Sequence, residues 1–334
     1  MVDRPKKPSA IPVSPLAPAP QFDFSADNSR VTATLPTGES IEVLLYGATI
    51  ISWKSASPGG KSGMKENLWL SDKAKVDGSK PVRGGIPLVF PVFGPPPSQG
   101  PISSLPQHGF ARNSRWEFLN KSTSESEPTG PSSSSKNSAS DSSVKLDFGL
   151  SSTNLAPEAR KAWPFDFGLI YSVTLGKDGL ETSMLVRNEG EKSFEFCLLM
   201  HTYLRVDDIT KTTISGLQNI SYVDKMANAT THTEKSAALP ITAETDRVYS
   251  TPGAADSPLR VLSSGKERFS VVRDNLEDVV VWNPWEAKAA GMSDFGPQDG
   301  WKNMLCVEAG AVSRFQKLEP GDTFEGGQVI RSVL

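Results

Sequence analysis

The property that most limits what this chain can become is the scarcity of helical rhythm along its 334 residues. Apolar residues recur at alternate positions in short runs, and Gly, Pro or Asn closes each run, which is the pattern of half-buried strands. Residues 30–35 and 40–46 alternate around Pro36-Thr-Gly-Glu, and residues 169–175 and 180–188 flank Gly176-Lys-Asp-Gly; both pairs read as hairpins. Residues 194–206, 269–274, 279–282, 304–308 and 312–318 supply further strands, and only residues 156–162 suggest a helix, of one turn or two. Many short strands with no repeat at propeller spacing predict an all-β protein, a large antiparallel sandwich.

Two stretches depart from this pattern. Residues 1–20 are rich in Pro, Ala and Lys and read as an extended or disordered arm. Residues 121–143 or thereabouts are dominated by Ser. Such a segment buries too little apolar surface to offset its ordering entropy, so a mobile loop is expected there. It lies between two strand-like runs, 116–119 and 144–148, and so enlarges a hairpin. Residues 21–334 are therefore expected to form a single domain with a mobile insert.

The formal net charge of −3 provides no global field for nucleic acid or an anionic membrane, so an arginine that binds an anion must act locally. Cys197 and Cys306 each sit in an apolar run, as buried small hydrophobes in a reducing compartment do. No run approaches the roughly 18 apolar residues of a membrane span. Prolines interrupt the N-terminal stretch where a signal peptide would need an apolar core. A soluble, cytoplasmic monomer is expected.

Of three histidines, His232 lies in a polar stretch and reads as a solvated loop residue. His201 ends an apolar run, and alternation puts it on one face with Cys197, Leu199 and Tyr203. It is either a satisfied core histidine or a proton donor. Glu308 is flanked almost entirely by apolar and small residues. Burial there requires a partner, and it also raises a carboxyl toward the working range of a general base. A structural salt bridge and a catalytic base both fit.

Residues 80–116 are the least ordinary segment. Arg83, Arg112 and Arg115 fall near His108 among prolines and aromatics, and Gly84-Gly85 permits positive φ and close backbone approach to a ligand. Guanidinium groups bind phosphate through a planar fork, so the cluster suits an anionic substrate; a solvent-facing loop is the other reading. Asp246 beside Arg247 fits a local turn, and Trp282 and Trp285 around Asn283-Pro284 fit either packing or stacking on a sugar. There is no phosphate-binding glycine loop, no dinucleotide fingerprint and no metal-type Cys/His spacing.

Taken together, Arg83-Gly-Gly-Ile-Pro, Phe90-Pro-Val-Phe-Gly, Gln107-His-Gly-Phe-Ala-Arg-Asn, His201-Thr-Tyr, Glu244-Thr-Asp-Arg-Val-Tyr, Val281-Trp-Asn-Pro-Trp and Cys306-Val-Glu-Ala-Gly resemble the hexose-6-phosphate mutarotase branch of the aldose 1-epimerase superfamily. The resemblance runs from about residue 25 to the C-terminus. It implies a galactose-mutarotase-like super-sandwich and a hexose 6-phosphate substrate with no cofactor. It also implies roles: His201 as general acid, Glu308 as general base, and His108, Asp246, Gln107, Arg83 and Arg112 as substrate-binding, the arginines at phosphate. An epimerase for neutral sugars and a non-catalytic sugar-binding scaffold are the competing expectations.

Overall fold

Alternation in the sequence becomes alternation of burial in the computed structural model, which describes residues 19–56, 63–100, 102–124, 143–252 and 257–333. In Ser143–Ser151 every second side chain is buried. The two expected hairpins form: Arg30–Thr34 pairs with Ser40–Leu44, and Phe167–Gly176 with Gly179–Asn188. Among the described residues three sheets result, of five, nine and eight strands. Among the described residues all pairings between strands are antiparallel, and one isolated parallel bridge joins Phe90 to Gly109.

One apolar core joins the three sheets. Trp53 of the five-stranded sheet meets Phe269 of the nine-stranded sheet at 6.5 Å between ring centroids, and Phe196 of the eight-stranded sheet meets Phe324 of the nine-stranded sheet at 5.5 Å. Each such ring contributes about 1.5–3 kcal/mol by leaving water. Loss of one of them would be felt in all layers it touches.

The structure departs from the sequence reading where local contacts override periodicity. Residues 194–206 are not one strand: Phe194–Met200 and Tyr203–Arg205 are separated at His201-Thr202. The N–H groups of His201 and Tyr203 there donate to the carbonyls of Pro87 and Gly85, so the Arg83-Gly-Gly-Ile-Pro segment bends this strand. Conversely, residues 304–308 and 312–318 merge into Met304–Leu318, because Gly310 lets the strand pass close to its neighbour. A Cβ at Gly310 would lie 2.9 Å from the Leu198 carbonyl oxygen.

A second helix, Trp285–Gly291, follows Asn283, whose side chain accepts the Trp285 N–H and donates to the carbonyls of Trp301 and Met304. His232 lies in the exposed edge strand Thr230–Thr233, not in a loop. The first residues of the Ser-rich segment belong to the strand Glu117–Ser124, paired with Ser143–Ser151; residues 125–142 and the first eighteen of the arm lie outside the described residues. Among the described residues no helix is long and apolar enough to cross a membrane.

Candidate active site

The eight-stranded sheet sets three neighbouring strands side by side, Thr245–Ser250, Asp278–Asn283 and Met304–Leu318. Asp246 is registered with Trp282 and Trp282 with Cys306, while Val248, Val280 and Glu308 form the next row but one. Residues two apart on a strand share a face, so all six point to the same side. On that side a cleft of about 500 Å³ opens, with Glu308 and His201 at its floor.

His201 Nδ1 lies 3.2 Å from Glu308 Oε1, and both residues are buried. The contact is not aligned as a hydrogen bond, which leaves Nδ1 without a hydrogen-bond partner, and the other carboxyl oxygen, Glu308 Oε2, has none either. The kink after Met200 aims the imidazole out of the strand. Tyr203 stacks on it at 4.6 Å with ring planes 8° apart, and Trp282 closes its edge. Burial pushes the His201 imidazole well below its ordinary value, reinforced by His108, Arg112 and Arg83. Burial likewise pushes Glu308 well above a normal carboxylate, with Asp246 adding repulsion. Both shifts favour the uncharged forms of the pair, a neutral imidazole beside a neutral carboxyl. An imidazolium facing a carboxylate, the state implied by the resemblance, needs something further to form.

His108 sits at φ 65°, in the left-handed region, and its Nδ1 accepts the Gly94 N–H at 3.2 Å. The ring proton of the neutral form is thereby left on Nε2. Burial, Arg112 and Lys225 push His108 down to about 3, so it is a neutral donor. Gly109 follows at φ 72°, and a Cβ there would stand 2.0 Å from the Phe90 carbonyl oxygen. Glycine is required.

The other expected residues fall less uniformly. Arg83 lines the cleft, with Nε and Nη2 on Asp294 and Nη1 donating to the Tyr203 hydroxyl at 3.1 Å. Gln107 also lines it. Arg112 is not among the lining residues; it lies behind them, one Nη donating to the Gln107 carbonyl, and burial lowers it to about 10. Arg115 leaves the cluster altogether and binds the Asn28 carbonyl. The paired glycines do adopt positive φ, but they approach the protein's own backbone: a Cβ on Gly85 would lie 2.1 Å from the Ile50 carbonyl oxygen. Asp246 is a strand residue paired with Lys225 at 3.2 Å, not part of a turn.

Sequence reasoning missed Lys225 and Lys288, which also line the cleft. Lys225 lies over the Phe93 ring at 4.1 Å. Lys288 comes from the unforeseen helix and has no ion-pair partner among the described residues. Of the two tryptophans, Trp282 lines the cleft and Trp285 packs on Trp301 at 4.5 Å.

A β-sandwich with a cleft that seats an imidazole against a buried carboxyl, among cationic and polar side chains, fits a protein that handles protons on a small polar molecule. The chain belongs to the aldose 1-epimerase family, whose profile matches residues 29–331. A relative from Cenchrus ciliaris named "Putative glucose-6-phosphate 1-epimerase" is 34% identical over 296 residues, 87% of this chain and 81% of its own. One of the same name from Escherichia coli is 33% identical over 279 residues, 82% and 80% of the two chains. The crystal structure of a "putative mutarotase" from Salmonella typhimurium superposes with a TM-score of 0.72 at 26% identity, covering 96% of each chain. The expected super-sandwich is the fold observed.

Proposed function

We propose that this protein is a mutarotase that interconverts the α and β anomers of D-glucose 6-phosphate by opening and closing the pyranose ring. One observation carries the reading: a carboxyl and an imidazole 3.2 Å apart at the floor of a sugar-sized cleft lined by Arg83, Lys225 and Lys288. The names of the relatives supply the substrate class.

The oxygens that exchange protons are geminal on C1, so the groups that serve them must stand side by side, as this pair does. Glu308 takes the proton of the C1 hydroxyl and His201 gives one to the ring oxygen. The ring opens to the aldehyde, C1–C2 turns by half a rotation, and the pair acts in reverse. No electrons are exchanged, so the chemistry calls for no cofactor. Two effects of the substrate bring the pair to its working charge state. Burial lowers His201 most, and His108, Arg112 and Arg83 add to it; the substrate's phosphate offsets the two arginines, and its hydroxyls hydrogen-bond the Glu308 carboxylate in place of water. Asp246, Gln107 and the Nε2–H of His108 bind ring hydroxyls, a role supported by their lining the cleft. Arg83 contacts the phosphate, and Arg112 acts from behind through its field. Residues 21–334 act as one domain, a reading supported by the core common to the three sheets, and the protein works as a monomer.

Asp294 on Arg83 favours a second reading, an epimerase for neutral sugars, because it already balances that charge. NMR anomer exchange decides. Glucose 6-phosphate is expected to exchange far faster than glucose. Equal acceleration of both would establish the neutral-sugar reading; binding with no acceleration would show a scaffold that kept the fold.

A further inference from the structure

Cys306 has no part in the chemistry above, yet it stands two residues before Glu308 on the same strand and so on the same face. Its Sγ, a ring nitrogen of His201 and a carboxylate oxygen of Glu308 all lie within 4.8 Å of one another. His201 Nδ1 and Glu308 Oε2 are buried and without hydrogen-bond partners, so two of the three groups have unused lone pairs. Zinc bonds of about 2.0–2.3 Å set tetrahedral ligands about 3.4–3.8 Å apart, so the three atoms need to close by only about 1 Å.

We propose that His201, Cys306 and Glu308 form a site for a soft divalent cation, Zn²⁺ or Cd²⁺, whose occupation silences the acid–base pair and competes with the sugar. Nitrogen and sulfur donors select such ions over Mg²⁺ and Ca²⁺, which prefer oxygen alone. Two protons leave on binding, one from the thiol and one from the histidine–glutamate pair. The ion then stands against one thiolate and one carboxylate, so the buried site is neutral overall. The fourth coordination position faces the cleft, where water or a C1 hydroxyl completes the tetrahedron. Two of the ligands come from one strand and the third from the break at His201-Thr202, and their positions match no sequence-local zinc motif, which is why Cys/His spacing gives no sign of them.

Silencing of the reaction rests on the mutarotase reading; binding of the ion does not, and the two are read on separate signals. Cd²⁺ is titrated into the full-length protein after treatment with EDTA. Binding is followed by calorimetry and by ultraviolet sulfur-to-cadmium charge-transfer absorption, and anomer exchange of glucose 6-phosphate is measured in parallel. One equivalent should bind with a sulfur band, exchange should fall in proportion, and EDTA should restore it. Glucose 6-phosphate should weaken the apparent affinity. Cys306→Ala should lose the band and raise the inhibitory Cd²⁺ concentration by about tenfold or more, with metal-free exchange unchanged. Cys306→Ser, closer in volume, should do the same if the alanine variant does not fold. Cys197→Ala should keep the band. A band that survives in both Cys306 variants, or one that disappears in Cys197→Ala, overturns the proposal. So does binding without sulfur absorption. A protein that shows the band but never catalyses exchange retains the site and loses the mutarotase reading instead.

Discussion

Glu308 is held in conflict with its surroundings, and that conflict can be measured. An uncharged Gln in its place removes a buried ionisable group while keeping the shape. Glu308→Gln is expected to slow exchange by about 10²–10⁴-fold, the usual worth of a positioned acid or base, with thermal stability at pH 8 equal to or above the parent. Activity lost together with a large fall in melting temperature would instead make Glu308 a structural residue. The pH dependence has a defined sign. Glu308 is raised in the folded chain, so its contribution to stability is full below its unfolded value near 4.5 and declines as pH rises above it. His201 is lowered, so stability declines as pH falls below about 6.5, where the unfolded ring takes a proton and the buried one does not. In the proposed mechanism the pair carries one proton, so kcat/KM should be bell-shaped, and the residual rate of Glu308→Gln should retain a single limb. An unchanged bell in that variant would remove Glu308 from the reaction.

Single elements explain what the sequence could and could not reveal. The hairpins at 30–46 and 167–188 were legible because each turn has its own Gly signature and each strand its own alternation. Glu308 was legible because a carboxyl in an apolar strand is costly. The break at His201-Thr202 was not, since it is produced by carbonyls of Gly85 and Pro87 more than a hundred residues earlier. Lys225 and Lys288 escaped for a similar reason: an isolated lysine on a short helical turn looks like any solvated lysine until a strand from elsewhere passes in front of it. Arg115 misled because nearness in sequence does not fix direction on a loop. Gly109→Ala tests the loop that carries His108. With positive φ and the Phe90 carbonyl in the way, it should cost more than about 1 kcal/mol and raise KM more than a surface glycine variant such as Gly265→Ala. Equal stability and KM in the two would show that the loop adapts.

For the whole molecule, the charge of the cleft separates two kinds of arginine. Arg83 lines the cleft, and Arg112 is not among its lining residues. Arg83→Ala should raise KM for glucose 6-phosphate by about 10–100-fold, the worth of one charge-assisted hydrogen bond, with little effect on any neutral-sugar rate. Arg112→Ala should raise it less, by field and by release of Gln107. The reverse order would place the phosphate deeper in the cleft than Arg83 allows. High salt should weaken phosphate binding only modestly, since these cations are partly buried and poorly screened.

The register of Met304–Leu318 has an evolutionary consequence. Cys306, Glu308 and Gly310 occupy alternate rungs on one face of the strand, from which Glu308 lines the cleft, and Val307 and Ala309 lie on the other. Deletion of a single residue between 304 and 308 would rotate every later side chain to the opposite face, carrying the carboxylate out of the site while leaving the strand paired. Length variation among descendants of this chain should therefore gather in turns and outer hairpins. This strand must evolve by substitution alone.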